Sequence, residues 1–280
     1  MRFEKWTALG NDYLIVEAAA LPWTPTPERV RRLCDPHFGV GSDGVLLLAP
    51  VEDPACVAEL RIFNPDGSEA ELSGNGARQA VLYLRRSGWT DEDEFTIVTK
   101  AGPITPTIRS EREATLDMGR ATTTSADYPT GEEDGRGEVL AAGRSWTFQH
   151  ISIGNPQCAI EIGEELESLA LGSIGPEIEK SPLFPNRTNV SFYRVNGDRV
   201  RARIFERGVG ETLSSGTGAS GAAVAAHLAG APGNLTVELD GGELEVEIGD
   251  DLAVRLTGWA EPIFSGELSA EILRFLDDLD

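Results

Sequence analysis

Apolar and polar positions alternate over short stretches along most of the chain. Phe3 to Thr7, Asp12 to Val16, Gly44 to Leu48, Glu59 to Phe63, Glu94 to Thr99 and Thr105 to Arg109 read as strands. A second set echoes them: Ser152-Ile153, Cys158 to Ile162, Thr188 to Tyr193, Arg201 to Phe205, Leu235 to Leu239, Glu243 to Ile248 and Leu252 to Thr257. Helical spacing is rarer. Pro27 to Cys34 carries Val30, Leu33 and Cys34 on one face. Asn75 to Arg86, Thr217 to Leu228 and a terminal stretch, Ala270 to Leu279, complete the predicted helices. Val51 to Glu59 reads as a meander connection, and Thr122 to Gly137 reads as a linker rich in Thr, Ser, Gly and acid. The pattern predicts an α+β protein.

The two sets of elements belong to an internal repeat. Arg61-Ile62-Phe63 recurs as Arg203-Ile204-Phe205, 142 residues on. At the same offset Glu69, Ser73, Gly74, Gly76, Ala77 and Ala80 recur as Glu211, Ser215, Gly216, Gly218, Ala219 and Ala222. Leu9-Gly10-Asn11 resembles Ile153-Gly154-Asn155, and Met118-Gly119 resembles Thr257-Gly258. These pairs keep one order, which argues for two homologous halves across a pseudo-two-fold axis. The expected division is residues 1–124 and 125–262, with 263–280 returning to the first half.

Composition narrows the function. The chain has 280 residues, 40% of them hydrophobic, which suits packed domains and excludes disorder. Its 24 Lys and Arg face 46 Asp and Glu, a formal charge of -22. That charge repels phosphate backbones and anionic lipid, so neither nucleic acid nor membrane is an expected partner. Three scattered cysteines and three isolated histidines form neither a disulfide framework nor a metal site. No leader or spanning run is read, so a cytoplasmic location is expected.

The chemistry concentrates in the repeat. Each half places Ser-Gly-x-Gly-Ala directly before an alanine-rich helix. Ser73 and Ser215 are suited to cap those helices. The first N–H groups of a helix have no internal partner and form an anion site, here at Gly74-Asn75 and Gly216-Thr217. Two such ends facing one carboxylate would set Ser73 and Ser215 on opposite sides of it. That suits removal of a proton from one face of a carbon and its return to the other. Asn11, Asn64, Asn155 and Asn189 sit in turns or after strands, where they either shape the backbone or contact a ligand. Glu206-Arg207 occupies the place of Asn64-Pro65, and Arg207 could hold a distal carboxylate bidentately.

At these residues the chain resembles diaminopimelate epimerase. The motifs are KWTALGNDYLIV, GVGSDGVLLL, RIFNPDGSEAELSGNGARQ, ISIGNPQCA, FPNRTNVSF and ERGVGETLSSGTGASGAAVAA, in that family's order. The resemblance implies two pseudo-symmetric domains, each a mostly antiparallel sheet wrapped around a central helix. It implies a cofactor-independent enzyme that moves the Cα proton of an amino acid, often as a homodimer. Asn11, Asn64, Asn155, Asn189, Glu206 and Arg207 match the family's substrate-binding positions, as do the pairs Gly74-Asn75 and Gly216-Thr217.

The catalytic positions depart from that pattern. The family places a cysteine before each Gly-x-Gly, where this chain has Ser73 and Ser215. The histidine that assists the first cysteine is Gln157 here, which cannot accept a proton. The glutamate that assists the second remains as Glu206. Ser220 also stands where the family often has cysteine, which points to a natural subgroup without thiols. A serine hydroxyl is a far weaker acid than a thiol and needs a base to act. Three readings follow: an epimerase working through Ser73 and Ser215, an isomerase using Glu206 as its single acid/base, and a catalytically silent amino-acid binder.

Overall fold

The computed structural model describes residues 1–279. The chain forms two compact units, Met1–Leu116 with Gly258–Asp280, and Asp117–Thr257. Asp280, the last residue of the predicted returning segment, lies outside the described residues.

Unit 1 begins with strands β1 (Arg2–Ala8) and β2 (Asn11–Glu17) and helix α1 (Pro27–Cys34). It continues through β3 (Val45–Ala49), β4 (Cys56–Phe63), β5 (Glu69–Ala70), α2 (Gly74–Arg86), β6 (Thr96–Thr99), β7 (Gly102–Ile104) and β8 (Thr107–Ser110). The chain changes unit inside β9 (Glu113–Arg120). Unit 2 carries β10 (Arg136–Ala141), β11 (Arg144–Ser152), β12 (Pro156–Glu161), α3 (Leu171–Glu179), β13 (Asn189–Asn196), β14 (Arg199–Glu206) and β15 (Gly210–Thr212). It then runs through α4 (Gly216–Leu228), β16 (Asn234–Leu239), β17 (Gly242–Ile248) and β18 (Ala253–Trp259), within which the chain returns. Strand β19 (Glu261–Glu267) and helix α5 (Ala270–Asp277) close unit 1.

The sheet of unit 1 runs β19-β1-β2-β3-β4-β6-β7, with β5 added to β4. Most neighbours are antiparallel, while β2/β3 and β4/β6 are parallel. Unit 2 repeats the scheme in the order β10-β11-β12-β13-β14-β16-β17-β18, with β15 on β14 and parallel pairs at β12/β13 and β14/β16. Each sheet curls around one helix. Helix α2 packs on β1, β2, β3 and β4, and α4 packs on β11, β12, β13, β14, β16 and β17.

A helix enclosed on all sides must be thin and apolar all round. In α4, Gly216 and every residue from Gly218 to Ala226 are buried, and all of these are Gly, Ala, Ser or Val. A second apolar layer covers the outer face of each sheet. In unit 1, Val30, Leu33 and Cys34 of α1 pack with Phe3, Leu14, Val16 and Leu276. The Arg29 side chain donates to the carbonyls of Leu276 and Asp277, holding the end of α5 against α1. In unit 2, α3 covers Trp146, Phe148, Phe184 and Phe192.

Several expectations need correction. The chain changes unit within strands β9 and β18, not in the stretch 122–137, because paired strands can carry a crossing without a loop. The stretch 122–137 lies inside unit 2 and runs into the hairpin β10/β11. Helix α3 was not anticipated: Gly172, Gly175 and Pro176 mask its periodicity. Gly175 is required there, because a Cβ on it would stand 2.5 Å from the Phe205 ring. Strand β19 was also missed, its outer positions Ile263 and Phe264 being exposed edge residues. The predicted strand Thr105 to Arg109 starts too early: Thr105 and Pro106 lie between β7 and β8, and Thr107 to Arg109 fall in β8.

Candidate active site

In unit 1 the site is built on the start of α2. Strand β4 turns through Asn64 to Ser68 into the short β5, and Ser73 then opens the helix. The repeated Arg-x7-Glu spacing is an ion pair along this turn, Arg61 Nε donating to Glu69 Oε1 at 2.8 Å. Ser73 is extended (φ -134°), and its Oγ accepts from the Gly76 N–H at 3.1 Å, a helix cap. Gly76 is needed because a Cβ would stand 3.0 Å from Leu46 Cδ2. A second donor reaches the same oxygen: the Tyr13 hydroxyl, from β2, at 3.3 Å.

Asn75 and Arg78 lie one helical turn apart, and Arg78 Nη2 donates to Asn75 Oδ1 at 2.5 Å. Arg78 is wholly buried, and its Nε and Nη1 have no partner. Burial alone pulls its guanidinium down to about 10. Nη1 lies 3.9 Å from where a Cβ on Gly74 would stand, so the charge sits against the first turn of α2. Asn11 accepts at its carbonyl from Gln79 Nε2 of α2 at 3.0 Å, while its amide donates to Asp43 at 3.0 Å. Asn64 uses its amide within its own turn, donating to Ser68 Oγ at 2.9 Å.

Unit 2 repeats the device. Arg203 Nε donates to Glu211 Oε1 at 3.0 Å. Ser215 is extended (φ -145°), and its Oγ accepts from the Gly218 N–H at 3.2 Å. A Cβ on Gly218 would stand 2.7 Å from Ile204 Cδ1. The backing group differs. Glu206, at the end of β14, is half-buried. Burial raises its carboxyl above the ordinary range, while the neighbouring Thr212 and Ser215 hydroxyls pull the other way. Burial wins, so proton uptake by this carboxylate moves towards neutral pH.

The remaining predicted residues of unit 2 form two connected sets. Asn155 Nδ2 donates to Thr217 Oγ1 at 3.2 Å, and its Oδ1 accepts from Gln157 at 2.5 Å. Gln157 is fully buried against α4, where a Cβ on Gly221 would stand 2.8 Å from its Cγ. The buried Asn189 accepts at Oδ1 from the Arg207 N–H at 2.9 Å and donates to the Pro156 carbonyl at 3.0 Å. Its side chain thus ties the Arg207 backbone to β12. Arg207 Nη1 donates to the Asn186 carbonyl at 3.0 Å. Glu179, buried on α3, accepts from the Gly208 N–H at 2.8 Å and from Arg187 at 3.2 Å, fixing the same loop.

Sequence reasoning did not single out Tyr13, Arg78, Gln79 and Glu179. Arg78 carried a signal: at the repeat offset it stands opposite Ser220, whose hydroxyl donates back to the Gly216 carbonyl at 2.9 Å. The cysteines stay out of the chemistry. Cys158 lies in the apolar core of unit 2, where burial pushes its thiol far up, and burial raises Cys34 as well. No cluster of metal-ligating side chains occurs among the described residues. No described helix is long and apolar enough to cross a membrane.

Twin sheet-wrapped helices, each opened by a capped Gly-x-Gly start, form a fold that solved racemase and epimerase structures share. The solved structure of a probable proline racemase from Agrobacterium radiobacter K84 superposes with a TM-score of 0.68 at 18% identity, covering 96% of this chain and 93% of that one. A hydroxyproline epimerase from Agrobacterium vitis gives 0.65 at 17% identity over 95% and 91%. The family is narrower than the fold. The diaminopimelate epimerase pattern matches residues 3–124 and 150–261, and the chain belongs to the diaminopimelate epimerase family. Diaminopimelate epimerase 2 of Nostoc sp. PCC 7120 is 39% identical over 97% of both chains. Diaminopimelate epimerase of Synechococcus sp. JA-3-3Ab is 41% identical over 95% of this chain and 97% of its own.

Proposed function

We propose that this protein inverts an amino-acid Cα by proton transfer, interconverting L,L- and meso-diaminopimelate with serines in place of thiols. Membership of the diaminopimelate epimerase family supports the reaction class. The observation that carries the assignment to residues is the pair of serine-capped helix starts, each with first-turn N–H groups suited to a carboxylate. As the Cα proton leaves, negative charge spreads onto the substrate carboxylate. Helix N-termini stabilise that charge, and Arg78 adds a fixed positive charge beside Gly74-Asn75.

An epimerase needs one proton carrier for each face of the carbon. Ser215 with Glu206 supplies one: the carboxylate takes the hydroxyl proton as the hydroxyl takes or gives the substrate's. Ser73 supplies the other. Asn189 sets the Arg207 backbone, and the Arg207 guanidinium is offered to the distal carboxylate. A homodimer in the cytoplasm is part of this reading, and light scattering on the purified protein checks the mass.

The test is exchange in heavy water with both stereoisomers, read by NMR at Cα. Inversion with deuterium incorporation is expected. Ligand-induced stabilisation without exchange would instead mark a silent binder and overturn the enzymatic reading. The single acid/base alternative is favoured by the presence of a carboxylate beside only one of the two serines. It predicts that Ser73→Ala leaves turnover nearly intact.

A further inference from the structure

A serine hydroxyl titrates far above neutral pH, so it carries a proton only if a stronger acid or base stands behind it. Ser215 has Glu206. Among the described residues Ser73 has no carboxylate or histidine as a hydrogen-bond partner, yet its oxygen is fully engaged. A serine hydroxyl offers two lone pairs and one proton. The Gly76 N–H occupies one lone pair and the Tyr13 O–H the other. Ser73 therefore cannot accept a substrate proton as it stands. It can give its own proton, or accept one if its present proton moves on at the same moment.

Tyr13 is the group that permits this. Its phenol, ordinarily near pKa ~10, is the strongest acid in contact with Ser73 Oγ. Its ring is buried and held in place from β2. Gly44 makes the room, since a Cβ there would stand 2.6 Å from the ring. The contact joins residues 60 positions apart, so the fold has brought it about.

We propose that Tyr13 is the acid/base that backs Ser73, forming with it a hydroxyl relay equivalent to the Glu206–Ser215 relay of unit 2. This rests on the epimerase reading above. In one direction the Cα–H bond breaks and its electron pair stays on the substrate. The proton goes to Ser73 Oγ, and the serine's former proton goes to the Tyr13 phenolate. In the epimerase reading the proton returned to Cα comes from Ser215, which takes one from the Glu206 carboxyl. The cycle ends with a phenol and a carboxylate, and the reverse reaction restores a phenolate and a carboxylic acid. No oxidant, metal or cofactor enters the balance. Tyr13 acts through Ser73 and is a positioning and proton-relay residue.

The test uses the full chain with L,L- and meso-diaminopimelate in heavy water. Tyr13→Phe keeps the ring and removes only the hydroxyl. Inversion is expected to fall at least about 100-fold in both directions, the range of a lost acid/base. One stereoisomer should still exchange its Cα hydrogen without inverting, because the Glu206–Ser215 side removes and returns protons unaided. The other should do neither. The double variant with Ser73→Ala should cost no more than either single variant, as members of one relay do not add. Wild-type inversion rates in Tyr13→Phe, equal loss of exchange with both stereoisomers, or additive losses would each overturn the proposal. Should Tyr13→Phe fold poorly, 3-fluorotyrosine at position 13 preserves the ring and the hydrogen bond. It is expected to change the inversion rate several-fold, and an unchanged rate overturns the relay. A wild-type protein that exchanges neither stereoisomer removes the epimerase reading itself, a result distinct from an active wild type with an indifferent Tyr13.

Discussion

The segments Arg61 to Arg86 of unit 1 and Arg203 to Leu228 of unit 2 share one backbone device and differ in what stands behind it. Both run strand, ion-paired turn, short strand, capped helix. Arg61–Glu69 answers Arg203–Glu211, and the Ser73 cap on Gly76 answers the Ser215 cap on Gly218. The differences lie at the side chains. Glu206 occupies the place of Asn64, and Arg78 the place of Ser220. Unit 2 therefore offers a carboxylate with an elevated proton affinity, and unit 1 a buried guanidinium and a phenol. Duplication conserved what the backbone needs and released what chemistry could vary. A helix start demands a cap and a cleared first turn in both copies, whereas the side chains behind the cap are free to differ.

That comparison can be broken most severely at Glu206. Glu206→Gln gives unit 2 an amide where unit 1 has one, and removes the carboxyl proposed as the base behind Ser215. Turnover should fall by about 10²- to 10⁴-fold, measured as inversion of either stereoisomer. Unchanged turnover would mean that the two segments are not chemically distinct.

The shared device is sharpened by its second glycines. Gly218→Ala drives a Cβ to 2.7 Å from Ile204 Cδ1, whereas Gly76→Ala meets Leu46 Cδ2 at 3.0 Å. Both changes overpack a buried helix start, and unit 2 should suffer more. Gly218→Ala is expected to lose about 1–3 kcal/mol in urea unfolding, and Gly76→Ala less. The reverse order would show that Leu46 yields less readily than Ile204.

The smallest effect concerns pH. The folded protein raises the Glu206 carboxyl above its unfolded value, so the native state holds that proton longer. Between the two values the unfolded chain binds fewer protons, and stability falls as pH rises. At neutral pH the ionised carboxylate is thus a cost. Glu206→Gln should gain in melting temperature relative to wild type between pH 4 and pH 7. A constant difference across that window would contradict the burial effect.

Much of this was readable from residue order. Pro27–Cys34 was predicted with its observed bounds, and the helices after Ser73 and Ser215 each began one residue earlier than expected. Caps, Gly-x-Gly starts and the Arg-x7-Glu spacing are local devices, and local devices repeat visibly. Helix α4 was legible as an alanine-rich stretch, and its enclosure by a sheet was implied by the family resemblance. Helix α3 was hidden because its glycines and proline break the pattern, and one of them, Gly175, answers to the Phe205 ring, a neighbour remote in sequence. The asparagines were expected to be site residues, but how the fold employs them was not legible. Asn64 closes its own turn and Asn189 holds the Arg207 backbone, uses that depend on which carbonyl or N–H the sheet register presents.

Residue order alone thus established two copies of one fold unit, the serine-capped starts, and the absence of thiols where the family's chemistry is done. It could not show what backs each serine. Tyr13 reaches Ser73 from another strand, and Arg78 is stripped of water beside the turn that it follows. A hydrophobic pattern reports which face of an element turns inward. The partner met on that face is set by sheet pairing and packing, and only the folded chain brings together residues 60 positions apart.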